Sequence, residues 1–168
     1  MSIEIQEGAL TFTFKANAAK YDEWSFYRQQ FQQGCFRDNK AVDLLCELNR
    51  DAWLIEVKDY RSHTRTKAVD LADEIAMKVR DTLAGLVAAS VSANDPAERA
   101  FARKMLRAQQ MRVVCHIEQP AKTSRLRPQT IEPDKLKQKL RVLLKAIDPH
   151  PIVTDKHARD ATLPWTVA

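Results

Sequence analysis

One short run, Trp53–Tyr60, limits what this chain can fold into more than any other part of the sequence. Its apolar residues alternate with others that include Glu56 and Lys58. This pattern predicts a strand, in which successive side chains point to opposite faces. Glu56 and Lys58 therefore project from the same face. The run thus places a carboxylate and an ammonium where a buried strand would carry apolar side chains.

The segment before this run predicts the partner strand of a hairpin. Residues 41–48 are rich in apolar residues, and residues 49–51 supply turn residues. If the hairpin pairs about Arg50 and Asp51, Lys58 lies opposite Asp43 and Glu56 lies opposite Leu45. We therefore expect Asp43, Glu56 and Lys58 to share one face.

Two carboxylates and an ammonium on one face are typical of a metal site that acts on phosphate. Mg²⁺ prefers oxygen ligands and keeps several waters, so Asp43 and Glu56 would suffice to hold it. The ion would acidify a water and neutralise phosphate charge. Lys58 would orient that water, act as a base if its pKa were lowered, or stabilise developing charge. The alternative is a half-exposed strand with a weak cross-strand pair.

These residues resemble the motif of the PD-(D/E)XK nuclease superfamily, which carries an Asp on one strand of a hairpin and Glu-x-Lys on the next. The matching positions are Asp43, Glu56 and Lys58, whereas Val42 stands where the fullest motif has proline. Many members carry another acidic residue on the first helix, for which Glu23 is the best match and Asp22 a weaker one.

The resemblance implies a single nuclease-like domain over residues 1–168, with an α/β (α+β) fold of the restriction-endonuclease-like type: a mixed β-sheet flanked by helices. It also implies a nuclease that depends on Mg²⁺ (or Mn²⁺) and hydrolyses phosphodiester bonds in DNA or RNA. Asp43 and Glu56 would bind the metal, and Lys58 and Glu23 would complete the catalytic set. The alternative is an inactive nuclease-fold protein that serves as a nucleic-acid-binding or protein-assembly subunit.

Length and composition agree with one ordinary domain. The 168 residues suffice for a buried core. The sequence has no apolar run of about 18 residues, and Met1–Ile5 lacks the layout of a signal peptide. We therefore expect a cytoplasmic protein with no membrane contact. Cys35, Cys46 and Cys115 form no Cys-x-x-Cys pair, which predicts reduced thiols and speaks against a zinc site.

The charge is divided unevenly along the chain. Residues 1–60 carry a balance of −3 and residues 61–168 a balance of +8, within a net charge of +5. This division suits a polyanion held by the second part and presented to the acidic first part. A modest basic excess is also common in proteins that bind no nucleic acid.

The remaining helices and strands are predicted from hydrophobic periodicity and from the capping and turn residues between them. A strand is predicted over residues 8–15, and another over 111–118 that crosses over in parallel. Helices are predicted over residues 21–33, 67–90, 96–110 and from residue 133 onward. Asp95 and Pro96 begin the third of these. Three of the helices carry apolar stripes that should face the core: Trp24, Tyr27 and Phe31; Val69, Ala72, Ala76, Val79, Leu83 and Leu86; and Leu136, Leu140, Leu143 and Leu144. Residues 151–154 are expected to add a short strand, and residues 119–129 form a linker-like stretch.

Basic residues in two places are candidates for nucleic-acid contact. Three lie just past the predicted site and three recur at helical spacing; they are Arg61, Arg65, Lys67, Arg99, Arg103 and Arg107. The alternatives are that the first three belong to a solvated loop and that the last three lie on the solvent-facing side of an amphipathic helix. The expected partner is nucleic acid, with DNA favoured over RNA, in a homodimer or a larger protein complex.

Overall fold

A computed structural model describes residues 2–121, 125, 131–158 and 160–168 of the chain. The strands within these residues are β1 (Ile3–Glu7), β2 (Leu10–Phe14), β3 (Asn17–Lys20), β4 (Leu44–Leu48), β5 (Asp51–Asp59), β6 (Gln110–Glu118), β7 (Ile152–Thr154) and β8 (Trp165–Val167). The α-helices are α1 (Leu71–Ser92), α2 (Pro96–Leu106) and α3 (Pro133–Leu143).

Five of the described strands form a mixed sheet in the order β3-β4-β5-β6-β7. The β3, β4 and β5 strands are antiparallel neighbours, whereas β6 pairs in parallel with both β5 and β7. Parallel neighbours need a long crossover connection, and α1 and α2 supply the one between β5 and β6. The predicted α/β class, with a mixed sheet flanked by helices, is confirmed.

A second sheet covers the other face of the mixed sheet. In the described residues it has the order β1-β2-β8. Leu10, Phe12 and Phe14 of β2 pack with Trp53 and Ile55, while Leu54 packs among the helices. The chain thus forms three layers, and alternate residues of β5 face α1 or the second sheet. Trp165, for which the sequence left open a partner surface, closes onto this second core.

The hairpin of β4 and β5 turns one residue earlier than predicted, which shifts the cross-strand pairing by two residues. Leu44 pairs with Ile55 and Leu48 with Asp51, so Asn49 and Arg50 form the turn. Both have positive φ, of 52° and 66°, as a two-residue hairpin turn of this kind requires. Because side chains alternate with a period of two, a shift of two residues leaves every side chain on its predicted face.

The segment after β3 differs most from the sequence prediction. Instead of one α-helix over residues 21–33, a 3₁₀ turn at Tyr21–Glu23 precedes a π-helical turn at Phe26–Phe31. Trp24 and Tyr27 of the predicted apolar stripe are nevertheless buried. Glu98 explains the break, because its carboxylate accepts hydrogen bonds from the backbone N–H groups of Ser25 and Phe26. A side chain distant in sequence thus determines where this segment begins.

The helices after the hairpin agree with prediction except at their ends. The α1 helix begins at Leu71 rather than residue 67, and Asp70 caps it by accepting from Ala72 N. Val69 and Leu143, predicted to face inward, are exposed. Asp95 caps α2 as predicted.

Most of the linker-like stretch 119–129 lies outside the described residues. No helix in the described part of the chain is long and apolar enough to cross a membrane.

Candidate functional site

The hairpin brings Asp43 and Glu56 against each other on the face of the mixed sheet that α1 covers. Asp43 immediately precedes β4, and its Oδ2 accepts a hydrogen bond of 2.6 Å from the backbone N–H of Val57. Glu56 lies in the middle of β5 and is completely buried, with 0% of its surface exposed. A carboxylate without water needs charged or hydrogen-bonding partners nearby.

Two lysines provide those partners from different elements. Lys58 Nζ lies 2.7 Å from Glu56 Oε1, and Lys78 Nζ of α1 lies 2.6 Å from the same oxygen. Lys78 Nζ is also 3.7 Å from Asp43 Oδ1. Glu56 Oε2 has no hydrogen-bond partner among the described residues. The structure therefore brings Asp43, Glu56 and Lys58 together as the sequence suggested, with Lys78 between the two carboxylates.

A third carboxylate extends this cluster toward the start of α1. Glu74 Oε1 lies 3.0 Å from Lys58 Nζ and 2.7 Å from Lys67 Nζ. Its Oε2 accepts a hydrogen bond of 2.8 Å from Arg65 Nη2. Glu74 itself is buried. The polar connection after β5 is therefore held to the helix by charge, and we refer to Asp43, Glu56, Lys58, Glu74 and Lys78 as the charge cluster.

Sequence reasoning missed Glu74 and Lys78 because the buried surface of α1 is wider than the predicted stripe, of which Ala72, Val79 and Leu86 are completely buried. Leu71, Ile75 and Thr82 face inward together with Glu74, whereas the predicted stripe began at the exposed Val69. The signal was present: positions 71, 75, 78, 82, 85 and 89 follow alternating steps of four and three residues. That spacing includes Lys78 among otherwise apolar or small residues. A charged residue within an inward stripe indicates a buried ionic partner.

Glu23 does not join the cluster. Its side chain is 53% exposed, and its Oε1 lies 3.2 Å from Lys20 Nζ. The weaker candidate, Asp22, is the acidic residue that interacts with Asp43. Burial, and then the negative charge of Asp43, raise the pKa of Asp22 to about 6. The 3₁₀ turn explains this difference, because it turns Asp22 toward the sheet and leaves Glu23 toward solvent.

The protonation states in the cluster differ sharply between neighbours. Burial, and then the Asp43 carboxylate, raise the pKa of Glu56 to about 7, against the effect of the two lysines. Burial acts to lower the pKa of Lys58, but the carboxylates of Glu56 and Glu74 outweigh it and raise that pKa. Lys58 therefore stays an ammonium at neutral pH. This environment therefore disfavours Lys58 as a base.

Glu74 has the opposite electrostatic environment to Glu56. Burial acts to raise its pKa, but hydrogen bonds from Lys67, Arg65 and Lys58 lower the pKa to about 2. Glu74 is therefore ionised across the physiological range, whereas Glu56 exchanges its proton near neutrality. The cluster can thus take up or release a proton at Glu56 while Lys58 remains charged.

The cluster does not have the arrangement of a metal centre. Among the described residues, no group of three or more His, Cys, Asp or Glu side chains could hold a metal ion. Glu56 Oε1 is already within 2.7 Å of two ammonium groups. The prediction of a metal-binding group is therefore not borne out in the residues that the structure describes, and the identity of a cofactor, Mg²⁺ or Mn²⁺, is untested.

The basic residues predicted to contact nucleic acid are distributed over two regions. Near the cluster, Arg65 and Lys67 bind Glu74, and Arg61 forms an ion pair of 2.6 Å with Asp59. On α2, Arg99 Nε donates to the carbonyl of Ala93 and Arg103 Nε to that of Ser90. Arg107 lies exposed at the end of the helix. Their contact with nucleic acid stays a prediction.

Comparison with known proteins points away from nucleases. The chain is 34% identical, over 156 aligned positions, to a cysteine–tRNA ligase of Neisseria meningitidis serogroup A / serotype 4A (strain DSM 15465 / Z2491). The alignment covers 74% of this chain and 22% of the ligase. The chain thus spans about a fifth of the length of the relative that it matches. No family model and no solved structure matches it.

This similarity corrects the function predicted from the sequence. The chain is related to an enzyme, but that enzyme is a tRNA ligase and not a metal-dependent nuclease. The prediction of a nuclease, together with its alternative of an inactive nuclease-fold subunit, is therefore wrong. The short Asp43, Glu56 and Lys58 motif can arise wherever a buried hairpin must bind a helix through charge. The resemblance of its residues to the PD-(D/E)XK motif stays a prediction about fold ancestry.

Proposed function

We propose that this chain is a tRNA-binding module whose function is related to that of a tRNA ligase. The observation that carries the proposal is the 34% identity to a cysteine–tRNA ligase over about a fifth of that enzyme. Because the match covers so small a share of the ligase, we infer that this chain corresponds to an RNA-contacting part of such an enzyme and not to a complete aminoacylating enzyme. Binding to tRNA also agrees with the cytoplasmic location predicted from the sequence.

The outer face of α3 is the surface that best fits a phosphate backbone. Lys137 and Arg141 lie on α3 and Lys145 lies just past its end; the three recur at intervals of four residues and are all exposed. Leu136 and Leu140 hold the opposite side of the helix in the core. Cations spaced by one helical turn form a continuous line of positive charge, which attracts RNA whatever its sequence. We call Lys137, Arg141 and Lys145 the α3 basic line.

The α3 basic line differs from neighbouring lysines in having no carboxylate bound to it. Lys135 lies 2.8 Å from Glu132, Lys139 lies 2.6 Å from Asp70, and Lys104 lies 2.8 Å from Glu47. In the described part of the chain, no salt bridge of this kind involves the α3 basic line. Its charge is thus available for phosphate, whereas a paired lysine would first have to leave its carboxylate.

Binding of fluorescently labelled tRNA, followed by anisotropy, tests this proposal. We expect the wild-type protein to bind tRNA more tightly than a DNA hairpin of equal length. Neutralising the α3 basic line in Lys137→Gln/Arg141→Gln/Lys145→Gln should weaken tRNA binding by at least tenfold. The matched control is Lys104→Gln/Lys135→Gln/Lys139→Gln, which removes three paired cations and should change affinity much less.

Two results would contradict the proposal. Absence of tRNA binding by the wild-type protein at low salt would remove tRNA as the partner. Equal losses in the two triple variants would show that net charge, and not the α3 basic line, determines binding. Circular dichroism of each variant separates loss of binding from loss of fold.

A further inference from the structure

The loop after the π-helical turn presents one large aromatic side chain almost entirely to solvent. Phe36 is 90% exposed, more than any other large hydrophobic residue in the described part of the chain. Single exposed apolar residues are common on protein surfaces, so exposure alone does not indicate a site. The backbone of this loop provides a second, independent observation.

Phe36 lies in a backbone conformation that bulky residues rarely adopt. Its φ is 63°, and two residues later Asp38 has a φ of 56°. This left-handed region suits glycine and tolerates aspartate, but it is unfavourable for a side chain as large as phenylalanine. Such strained residues are retained where the surrounding structure holds them, and they concentrate at functional sites. A glycine at position 36 would remove the strain but also the ring.

Asn39 and its neighbours hold the loop in this conformation. The Asn39 side-chain amide donates to the carbonyl of Cys35, and its backbone carbonyl accepts a hydrogen bond of 2.9 Å from the hydroxyl of the buried Tyr27. The backbone N–H of Lys40 then donates to Asp81 of α1 at 2.9 Å. The loop is therefore anchored to the core, and the exposed ring is presented in advance of binding, which lowers the entropic cost of a contact.

The surroundings of the ring select the kind of partner. The Arg37 guanidinium lies 5.5 Å from the centroid of the Phe36 ring, and Arg37 and Lys40 are both exposed. Residues 32–40 contain no other large apolar side chain. A stable protein interface needs a broader apolar centre than one ring. An aromatic ring flanked by cations matches instead the way proteins stack a single base and attract its phosphates.

We propose that Phe36 stacks on one unpaired base of RNA, with Arg37 and Lys40 attracting the adjoining phosphates. This inference rests on the proposed function, because it takes the RNA to be tRNA, whose loops and end carry unpaired bases. It adds a base contact to the backbone contact of the α3 basic line. Because every base has a flat π-face, the stacking accepts any of the four bases.

Substitutions at position 36, followed by anisotropy of labelled tRNA, test the stacking. We expect Phe36→Ala to weaken binding by about tenfold, the effect of losing one stacked base. Phe36→Leu, which is apolar but has no π-face, should lose as much, whereas Phe36→Tyr should bind like the wild-type protein. Unchanged affinity in Phe36→Ala, or equal affinity of Phe36→Leu and the wild-type protein, would overturn the proposal.

Phe36→Gly separates binding from a structural role of the ring. Glycine adopts a φ of 63° without strain, so this variant should bind tRNA as weakly as Phe36→Ala while its melting temperature is unchanged or higher. A lower melting temperature would show that the ring supports the fold and would contradict the proposal. The matched control is Val91→Ala, which truncates an apolar side chain that is 73% exposed on α1 and should leave tRNA affinity unchanged.

A parallel titration with a single-stranded uridine octamer separates the fate of the two proposals. Binding of tRNA that depends on Phe36 would support both, whereas binding of tRNA that is independent of Phe36 would uphold the proposed function and overturn the stacking. Binding of the octamer that depends on Phe36, without tRNA binding, would support the stacking and overturn the proposed function. Failure of the wild-type protein to bind either RNA would overturn both.

Discussion

Glu56 is the residue at which electrostatics and stability are most closely linked. Burial and the Asp43 carboxylate raise its folded-state pKa to about 7, from an ordinary value of 4.5. Between these two pH values the folded protein holds a proton that the unfolded chain has lost. The contribution of Glu56 to the free energy of unfolding is therefore greatest below about pH 4.5 and falls as the pH rises to about 7.

Replacing Glu56 should remove this pH dependence. We expect Glu56→Gln to gain stability relative to the wild-type protein as the pH rises from about 4.5 to about 7. The relative gain should reach roughly 3 kcal/mol, since the pKa of Glu56 rises from 4.5 to about 7 and one pKa unit corresponds to about 1.4 kcal/mol. Urea denaturation at intervals across this range measures it. Stability curves that run parallel for the two proteins would contradict the assignment.

Glu74 provides a matched comparison of opposite sign. Its three cationic partners lower its pKa to about 2, so its ionised form stabilises the folded state above about pH 4.5. This stabilisation should be lost as the pH falls from about 4.5 toward 2. We therefore expect Glu74→Gln to be less stable than the wild-type protein at pH 6 and to approach it on acidification. Urea denaturation checks this, and a constant difference down to pH 3 would contradict it.

Gly85 and Tyr21 form a pair whose substitutions should depend on each other. A Cβ atom at Gly85 would lie 2.0 Å from the hydroxyl of the buried Tyr21, while its next neighbour, a Phe31 ring atom, lies at 3.2 Å. Gly85→Ala alone should destabilise the protein by about 1 to 3 kcal/mol through overpacking. In Tyr21→Phe the nearest obstacle is gone and only the Phe31 ring atoms at 3.2 and 3.3 Å must give way, so the same change should cost clearly less.

A double-mutant cycle by thermal or urea unfolding measures this dependence. The Tyr21 hydroxyl has no hydrogen-bond partner among the described residues, so Tyr21→Phe by itself should cost little. Additive effects of Gly85→Ala and Tyr21→Phe would show that the close approach is relieved elsewhere.

The side chains of the charge cluster show which residues a sequence can place. Side chains of a strand alternate between its two faces, so an error of two residues in the hairpin register does not change the face on which a side chain lies. Asp43, Glu56 and Lys58 were therefore correctly assigned to one face. Lys78 was missed because the predicted stripe, whose Ala72, Val79 and Leu86 are buried, covers only part of the buried surface of α1. Asp22 was ranked below Glu23 because a 3₁₀ turn exposes different residues from an α-helix.

At the scale of elements, α2 determines how the segment before it folds. The Glu98 carboxylate accepts hydrogen bonds from Ser25 N at 2.7 Å and from Phe26 N at 2.9 Å. These are orphan backbone donors at the start of the π-helical turn, so the α2 side chain replaces a local cap. The hydrophobic periodicity of residues 21–33 could not reveal this cap, because the cap is supplied by residue 98, which is distant in sequence. The strong turn at Asp95 and Pro96, in contrast, is local and was predicted correctly.

Removing this distant cap should cost more than removing a local one. We expect Glu98→Ala to lower the free energy of unfolding by about 2 to 3 kcal/mol, because two partly buried backbone donors lose their acceptor. Asp95→Ala, the control on the same helix, should cost about 1 kcal/mol through loss of an exposed N-cap. Urea denaturation of both variants compares them, and a smaller loss for Glu98→Ala would contradict this role.

At the scale of the whole molecule, the layered architecture separates two environments. Helices and the charge cluster occupy one face of the mixed sheet, and the second sheet with its aromatic core occupies the other. The alternation of β5 and the crossover before β6 were enough to predict the mixed sheet. The second sheet was not predictable, because β8 reaches β2 from the other end of the chain. Function was assigned wrongly because a motif of three residues has little specificity without its metal geometry.

The central claim is that tRNA binds through the unpaired cations of α3. The salt dependence of tRNA affinity tests it most directly, since each phosphate contact contributes a slope of roughly 0.7 to 0.9 to the plot of log affinity against log salt. We predict that neutralising Lys137, Arg141 and Lys145 lowers the slope by about two units, while the paired-lysine control leaves it nearly unchanged. An identical slope for the wild-type protein and the α3 variant would contradict the claim.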